Sequence, residues 1–166
     1  MPRIPDVLAS AFEAFVQGPA GLRAALAGLD SPAFNRRPPG DDWSIRDVVM
    51  HVADAELVRS LSFRRVIAEE DARIPGWDEG AFKRKLHYLF RDPELALSQF
   101  QLVRFGNAEL LQQLDAAGWE RSGVRESDGS TATLGDLVRR AVEHDTTHVE
   151  QVGAMRAALT ALAAGR

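Results

Sequence analysis

Residues 134–162 read LGDLVRRAVEHDTTHVEQVGAMRAALTAL, and this stretch decides the fold. Its inward stripe is Leu137, Ala141, His144, His148, Val152, Met155 and Leu159, with steps of 4, 3, 4, 4, 3 and 4 residues. That spacing keeps every member on one helical face. Thr133-Leu134-Gly135-Asp136 supplies the start, since a Thr hydroxyl and a carboxylate three residues later satisfy free amide N–H groups. The stretch is therefore a long helix from Thr133 to about Leu162, and two of its core positions are histidine.

Working outward, the same signals recur. Ser44-Ile45-Arg46-Asp47 fits a capping box, and Ile45, Val48, Val49, Val52, Ala55, Leu61 and Val66 keep helical spacing. This predicts a second long helix, from Ser44 to near Ala72. Asp92-Pro93-Glu94 starts a third, running through Leu97, Phe100, Val103, Leu110 and Leu114 with Gly118 as its stop. Val7 to Leu29 is the first helical segment, which Gly18-Pro19 is expected to kink or split. Asp30 to Trp43 reads as a loop, Ile74-Pro75-Gly76 as a break, and Asp78 to Phe90 as a short helix packing Phe82, Leu86 and Phe90. Residues 119–132 read as a loop turning at Asp128-Gly129. No stretch reads as a strand. Four long helices and a short extra one predict an all-α bundle, with residues 1–166 as one domain.

Composition narrows the chemistry. The 166 residues are 45% hydrophobic and 27% charged, ordinary for a folded domain. A net charge of −4 argues against general binding to nucleic acid or to an anionic membrane. There is no cysteine, which excludes disulfides, thiolate-held metals and a cysteine nucleophile. Neither a signal peptide nor a membrane span is visible, so the expected location is cytoplasmic.

Four histidines remain: His51, His87, His144 and His148. Side chains four apart on a helix have Cβ atoms about 5–6 Å apart, so His144 and His148 can converge on one metal ion. Two such histidines also occur as satisfied core residues or at a stripe's edge. His51 lies beside the Val48/Val52/Ala55 stripe, and it supplies a third ligand if the two helices pack together. Three histidines leave a tetrahedral ion one open position, as in catalytic zinc sites. Asp54, three residues after His51, is the first choice to orient a ligand ring or act as general base. Glu56, Glu143, Asp145, Glu150 and Gln151 are the other polar neighbours. His87 has no partner at helical spacing. The adjacent Lys83-Arg84-Lys85 reads as a solvated face, or as a greeting for an anionic substrate.

Trp43-Ser44 followed by His51, Asp54 and Glu56, the Pro75-Gly76-Trp77-Asp78 break, and Glu143-His144-Asp145-Thr146-Thr147-His148 through Gln151 together resemble the DinB/YfiT-like superfamily. The similarity runs from about Val7 to Leu159. The resemblance implies an up-down-down-up four-helix bundle, often a homodimer. It also implies a divalent metal, zinc or nickel, on His51, His144 and His148. Relatives of that family include thiol-dependent transferases and isomerases using mycothiol or bacillithiol, and metal-dependent hydrolases of undefined substrate. The expected function is metal activation of a low-molecular-weight thiol for S-transfer to a small-molecule substrate, in stress or detoxification. Hydrolysis and non-catalytic metal binding are the alternatives.

Overall fold

The computed structural model of the chain describes residues 4–164. Positions 1–3 and 165–166 of the expected 1–166 domain lie outside the described residues. Among the described residues there are seven α-helices: α1 Ala9–Leu26, α2 Ser31–Asn35, α3 Ile45–Ala68, α4 Glu79–Lys85, α5 Pro93–Gln112, α6 Ala116–Trp119 and α7 Leu134–Ala164. Three short strands, β1 Arg73–Ile74, β2 Ser122–Arg125 and β3 Thr131–Thr133, join in one sheet.

The four long helices close a ring in which α3 packs on α5 and α7, and α1 packs on the same two. Side-chain partners fix their directions. Glu56 meets Arg104 and Arg64 meets Asn107, so α3 and α5 run parallel. Arg23 meets Glu94 while Arg104 meets the Phe15 carbonyl, so α1 and α5 are antiparallel. The Arg156 guanidinium reaches the Ala25 carbonyl, and the Gly18 backbone lies against Asp145, so α1 and α7 are parallel. The order is up, down, down, up, as the resemblance implies.

The predicted caps form. Ser44 N–H donates to Asp47 Oδ2 at 2.9 Å, and Asp47 N–H donates to Ser44 Oγ at 3.2 Å. Thr133 and Asp136 repeat the exchange at the start of α7. Asp92 accepts from Glu94 N–H ahead of Pro93. Two apolar clusters fill the bundle. One holds Phe12, Phe15, Phe63 and Leu111; the other holds Ile45, Met50, Phe100 and Met155.

Several expectations are corrected. Pro19 does not split α1, which is one helix from Ala9 to Leu26. Proline deprives the carbonyl four residues earlier of its donor. That carbonyl belongs to Phe15, and Arg104 Nη1 donates to it at 2.6 Å. The second helix ends at Ala68, not Ala72, because Arg73 and Ile74 pair in parallel with Val124 and Arg125. The supposed loop 119–132 contains a β-hairpin, with Ser122 to Val124 opposite Thr131 to Thr133. Gly129 makes its turn at φ 71°. The supposed loop 30–43 contains α2, and Asp78–Phe90 is a helix of seven residues followed by a single 3-10 turn. Of the side chains expected to pack there only Phe82 joins the core; Leu86 and Phe90 are 43% and 83% exposed.

Candidate metal centre

Capping at Ser44 fixes the phase of α3, so that Val48, Val52 and His51 turn inward. Capping at Thr133 does the same for α7. Where these two helices face each other, His51, His144 and His148 meet. One ring nitrogen from each lies within 4.8 Å of the others. His51 Nε2 is 3.0 Å from His144 Nε2, and the His144 and His148 ring centroids are 4.4 Å apart. The sequence-predicted ligands are thus brought together.

The surroundings decide their charge. His51 is only 1% exposed, between Trp77 stacked at 5.1 Å and the edge of Trp43 at 5.2 Å. Burial, and then His148 and His144, push its pKa down to about 3. Burial and then His144 also lower that of His148, against the pull of Gln151. Neutral imidazole keeps one lone pair free, which is the state a metal requires. His148 Nδ1 is 2.8 Å from Gln151 Oε1, a carbonyl oxygen that can only accept, so the proton is on Nδ1 and Nε2 is left free. Among the described residues, His51 Nδ1 and His144 Nδ1 are buried with no hydrogen-bond partner. Three imidazoles that converge one ring nitrogen each fit a divalent cation, and these three residues can hold one.

Beside the rings lies a buried ion network. Arg104, on α5, is fully buried. Its Nε and Nη2 donate to Glu56 at 3.0 and 2.7 Å, and its Nη1 donates to Asp145 Oδ2 at 2.7 Å. Asn107 and Arg59 complete the shell of Glu56 at 2.8 and 2.6 Å. Burial works against the Asp145 carboxylate, but His144 and Arg104 beside it hold its pKa below the ordinary value. Gly18 makes room for this network: a Cβ there would lie 2.3 Å from Asp145 Oδ2 and 2.6 Å from Arg104 Nη1.

A cleft of about 630 Å³ opens beside the rings, bounded by His144, His148 and Trp77. Its charged walls are Arg59, Arg125, Arg140, Glu79 and Glu143. Asp54 is not among the residues that line it. Its carboxylate accepts from Arg91 at 2.9 and 3.1 Å and lies against Tyr88, whose hydroxyl burial and that carboxylate hold above its ordinary range. Gln151 Oε1 accepts from His148 Nδ1, and Asp145 Oδ1 lies 3.6 Å from His144 Nδ1. Lys83 sits over Trp43 and pairs with Asp47, and neither it nor His87 lines the cleft.

The sequence reading missed Arg104, though its signal was present. On the stripe Leu97, Phe100, Arg104, Ala108, Leu111 it is the one charge, as His144 and His148 are the polar members of theirs. Arg125 and Arg140 carried no such signal, because a hairpin not foreseen brings the first of them to the cleft.

Known proteins share this architecture. A 140-residue match to a Bacillus licheniformis protein named "Putative metal-dependent hydrolase" is 25% identical and covers 84% of this chain and 80% of that one. A protein of the same name from Geobacillus thermodenitrificans is 27% identical over 140 residues, covering 83% of this chain and 78% of that one. Among solved structures, YfiT from Bacillus subtilis superposes with a TM-score of 0.87 at 20% identity, covering 96% of this chain and 92% of that one. It is described as a probable metal-dependent hydrolase with an unusual four-helix bundle topology. A mycothiol-dependent maleylpyruvate isomerase shares the fold with a TM-score of 0.73 at 12% identity, over 90% of this chain and 61% of that one. The DinB superfamily model matches residues 14–152, and the chain belongs to that superfamily.

Proposed function

We propose that this chain is a divalent-metal-dependent enzyme that activates a low-molecular-weight thiol for transfer to a small electrophile. The observation that carries this reading is the placement of His144 and His148 in the wall of a polar, arginine-bearing cleft. A divalent ion on His51, His144 and His148 would supply Lewis acidity and favour the anionic form of a thiol presented to it. The chain's own residues do the rest. Trp77, stacked on His51, keeps water from one side of the rings. Arg125 and Arg140 offer guanidinium groups to the carboxylates or sugar oxygens that such thiols carry. With no cysteine in the sequence, the sulfur comes from the cofactor. Zinc and nickel both suit imidazole donors.

Hydrolysis is the second reading. The names of the sequence relatives favour it, and Glu143 in the cleft offers a carboxylate to act as base on water. The experiment loads the protein with zinc or nickel and supplies bacillithiol or mycothiol with a simple electrophile, in parallel with ester and amide panels. Metal-dependent conjugation above background supports the first reading. Turnover of esters or amides without conjugation replaces it with the second.

A further inference from the structure

We propose that Arg104 is a positioning residue for the metal ligand His144. By gripping Asp145 Oδ2, it leaves Asp145 Oδ1 to hold the His144 proton on Nδ1, so that Nε2 keeps its lone pair for a cation. This rests on the reading of the three histidines as metal ligands.

Two buried atoms without hydrogen-bond partners carry the inference. Asp145 Oδ1 and His144 Nδ1 both lack one among the described residues, and they lie 3.6 Å apart. A carboxylate oxygen only accepts. With the proton on Nδ1, the two atoms attract. With the proton on Nε2, a ring lone pair faces a carboxylate and they repel. The contact between His51 Nε2 and His144 Nε2, at 3.0 Å, allows one proton between them. If His144 is protonated on Nδ1, that proton is on His51, which donates.

Asp145 cannot turn away. Arg104 binds its other oxygen and is itself fixed by Glu56 on α3 and by the Phe15 carbonyl on α1. That carbonyl is free because Pro19 has no N–H, and Gly18 provides the space. His148 obtains the same tautomer more simply, from Gln151 on its own helix.

The first test is NMR on the metal-free wild-type protein, using long-range 1H–15N correlations of the ring nitrogens. The expected result is the His144 proton on Nδ1. A proton on Nε2 overturns the proposal. The second test is Asp145→Asn. Arg104 selects the amide oxygen, so the amide N–H faces His144 Nδ1 and drives its proton to Nε2. Zinc affinity, measured by competition with a chromophoric chelator, should fall about 10–100-fold, with the His144 tautomer reversed. Arg104→Lys, which keeps the charge but not the fork, should fall in the same direction by less.

Wild-type zinc affinity in Asp145→Asn, or a lowered melting temperature with affinity unchanged, refutes the positioning role. If Asp145→Asn does not fold, the wild-type tautomer decides alone. If wild-type protein binds no zinc or nickel, the metal reading fails, and the tautomer measurement still judges the contact between Asp145 and His144.

Discussion

Two polar groups sit side by side in the bundle, and they are built on opposite terms. Around Arg104 every formal charge is met: two carboxylates and a carbonyl accept from its guanidinium, and the Asn107 amide donates to one of those carboxylates. Burial keeps His51 itself neutral near pH 7, and two ring nitrogens, on His51 and His144, are buried without partners among the described residues. Each unmet buried polar atom costs about 1–3 kcal/mol. The first group is held by its own charges, with Asp145 Oδ1 left to face His144; the second brings three rings together where a cation can sit. Converging ring nitrogens, more than charge, mark the site.

That contrast breaks if the two groups respond alike to mutation. His148→Ala should abolish tight zinc or nickel binding while the metal-free protein keeps its helical circular dichroism and melting point, because two ligands cannot enforce a tetrahedral site. Metal analysis beside thermal melts checks this; wild-type metal content in the variant would remove His148 from the ligand set. Arg104→Met should do the reverse in kind. It strands two buried carboxylates and should cost about 3–5 kcal/mol in denaturant unfolding. A loss under 1 kcal/mol would mean that water or protonation replaces the guanidinium easily.

Acid separates the two groups further. In the unfolded chain His51 and His148 take up protons near their ordinary pKa of 6.5; in the folded chain His51 resists until about 3 and His148 is also lowered. The unfolded state therefore binds more protons below pH 6.5, so stability falls as pH falls through that window. The slope is about 1.4 kcal/mol per pH unit for each such proton. Metal-free protein, unfolded by urea between pH 7 and pH 4.5, should show this loss. A flat profile would mean that the rings are already charged in the fold.

Gly18→Ala probes where the charged network touches the helix α1. Alanine normally improves a helix over glycine by about 1 kcal/mol. Here its Cβ would overlap Asp145 Oδ2 and Arg104 Nη1, so the sign should reverse, with a loss of about 1–3 kcal/mol. Stabilisation would show that the network yields to a methyl group without cost.

The same contrast explains what could be read in advance. Caps at Ser44, Thr133 and Asp92, and stripes along three helices, are local, and local signals survive in a bare sequence. The histidines were legible because they interrupt such a stripe. The sheet was not: β1 joins β2 across some fifty intervening positions, its strands are two to four residues long, and Gly123 breaks any alternation. Gly123 is explained only by the fold, since a Cβ there would lie 3.0 Å from the Ala72 carbonyl oxygen and from Val66 Cγ2. Arg125 reaches the cleft on that sheet, so one of the cleft's three arginines was hidden with it.

Asp54 is where spacing and structure point different ways, and it yields the smallest expected effect. Three residues from His51, it lies on the same side of α3 and looks like the group that orients the ring. Spacing along one helix cannot see what the neighbouring segment brings. Arg91, just before α5, meets both Asp54 oxygens, and Tyr88 covers them. The Arg91 side chain is 32% exposed, so solvent screens the pair, and its worth is near the roughly 1 kcal/mol ceiling of surface ion pairs. Asp54→Asn should thus leave zinc affinity within about twofold of wild type, since no ring nitrogen depends on the carboxylate. Stability should fall by at most about 1 kcal/mol. A 10-fold or greater loss of zinc affinity would return Asp54 to the site and show that spacing from His51 had been the better guide.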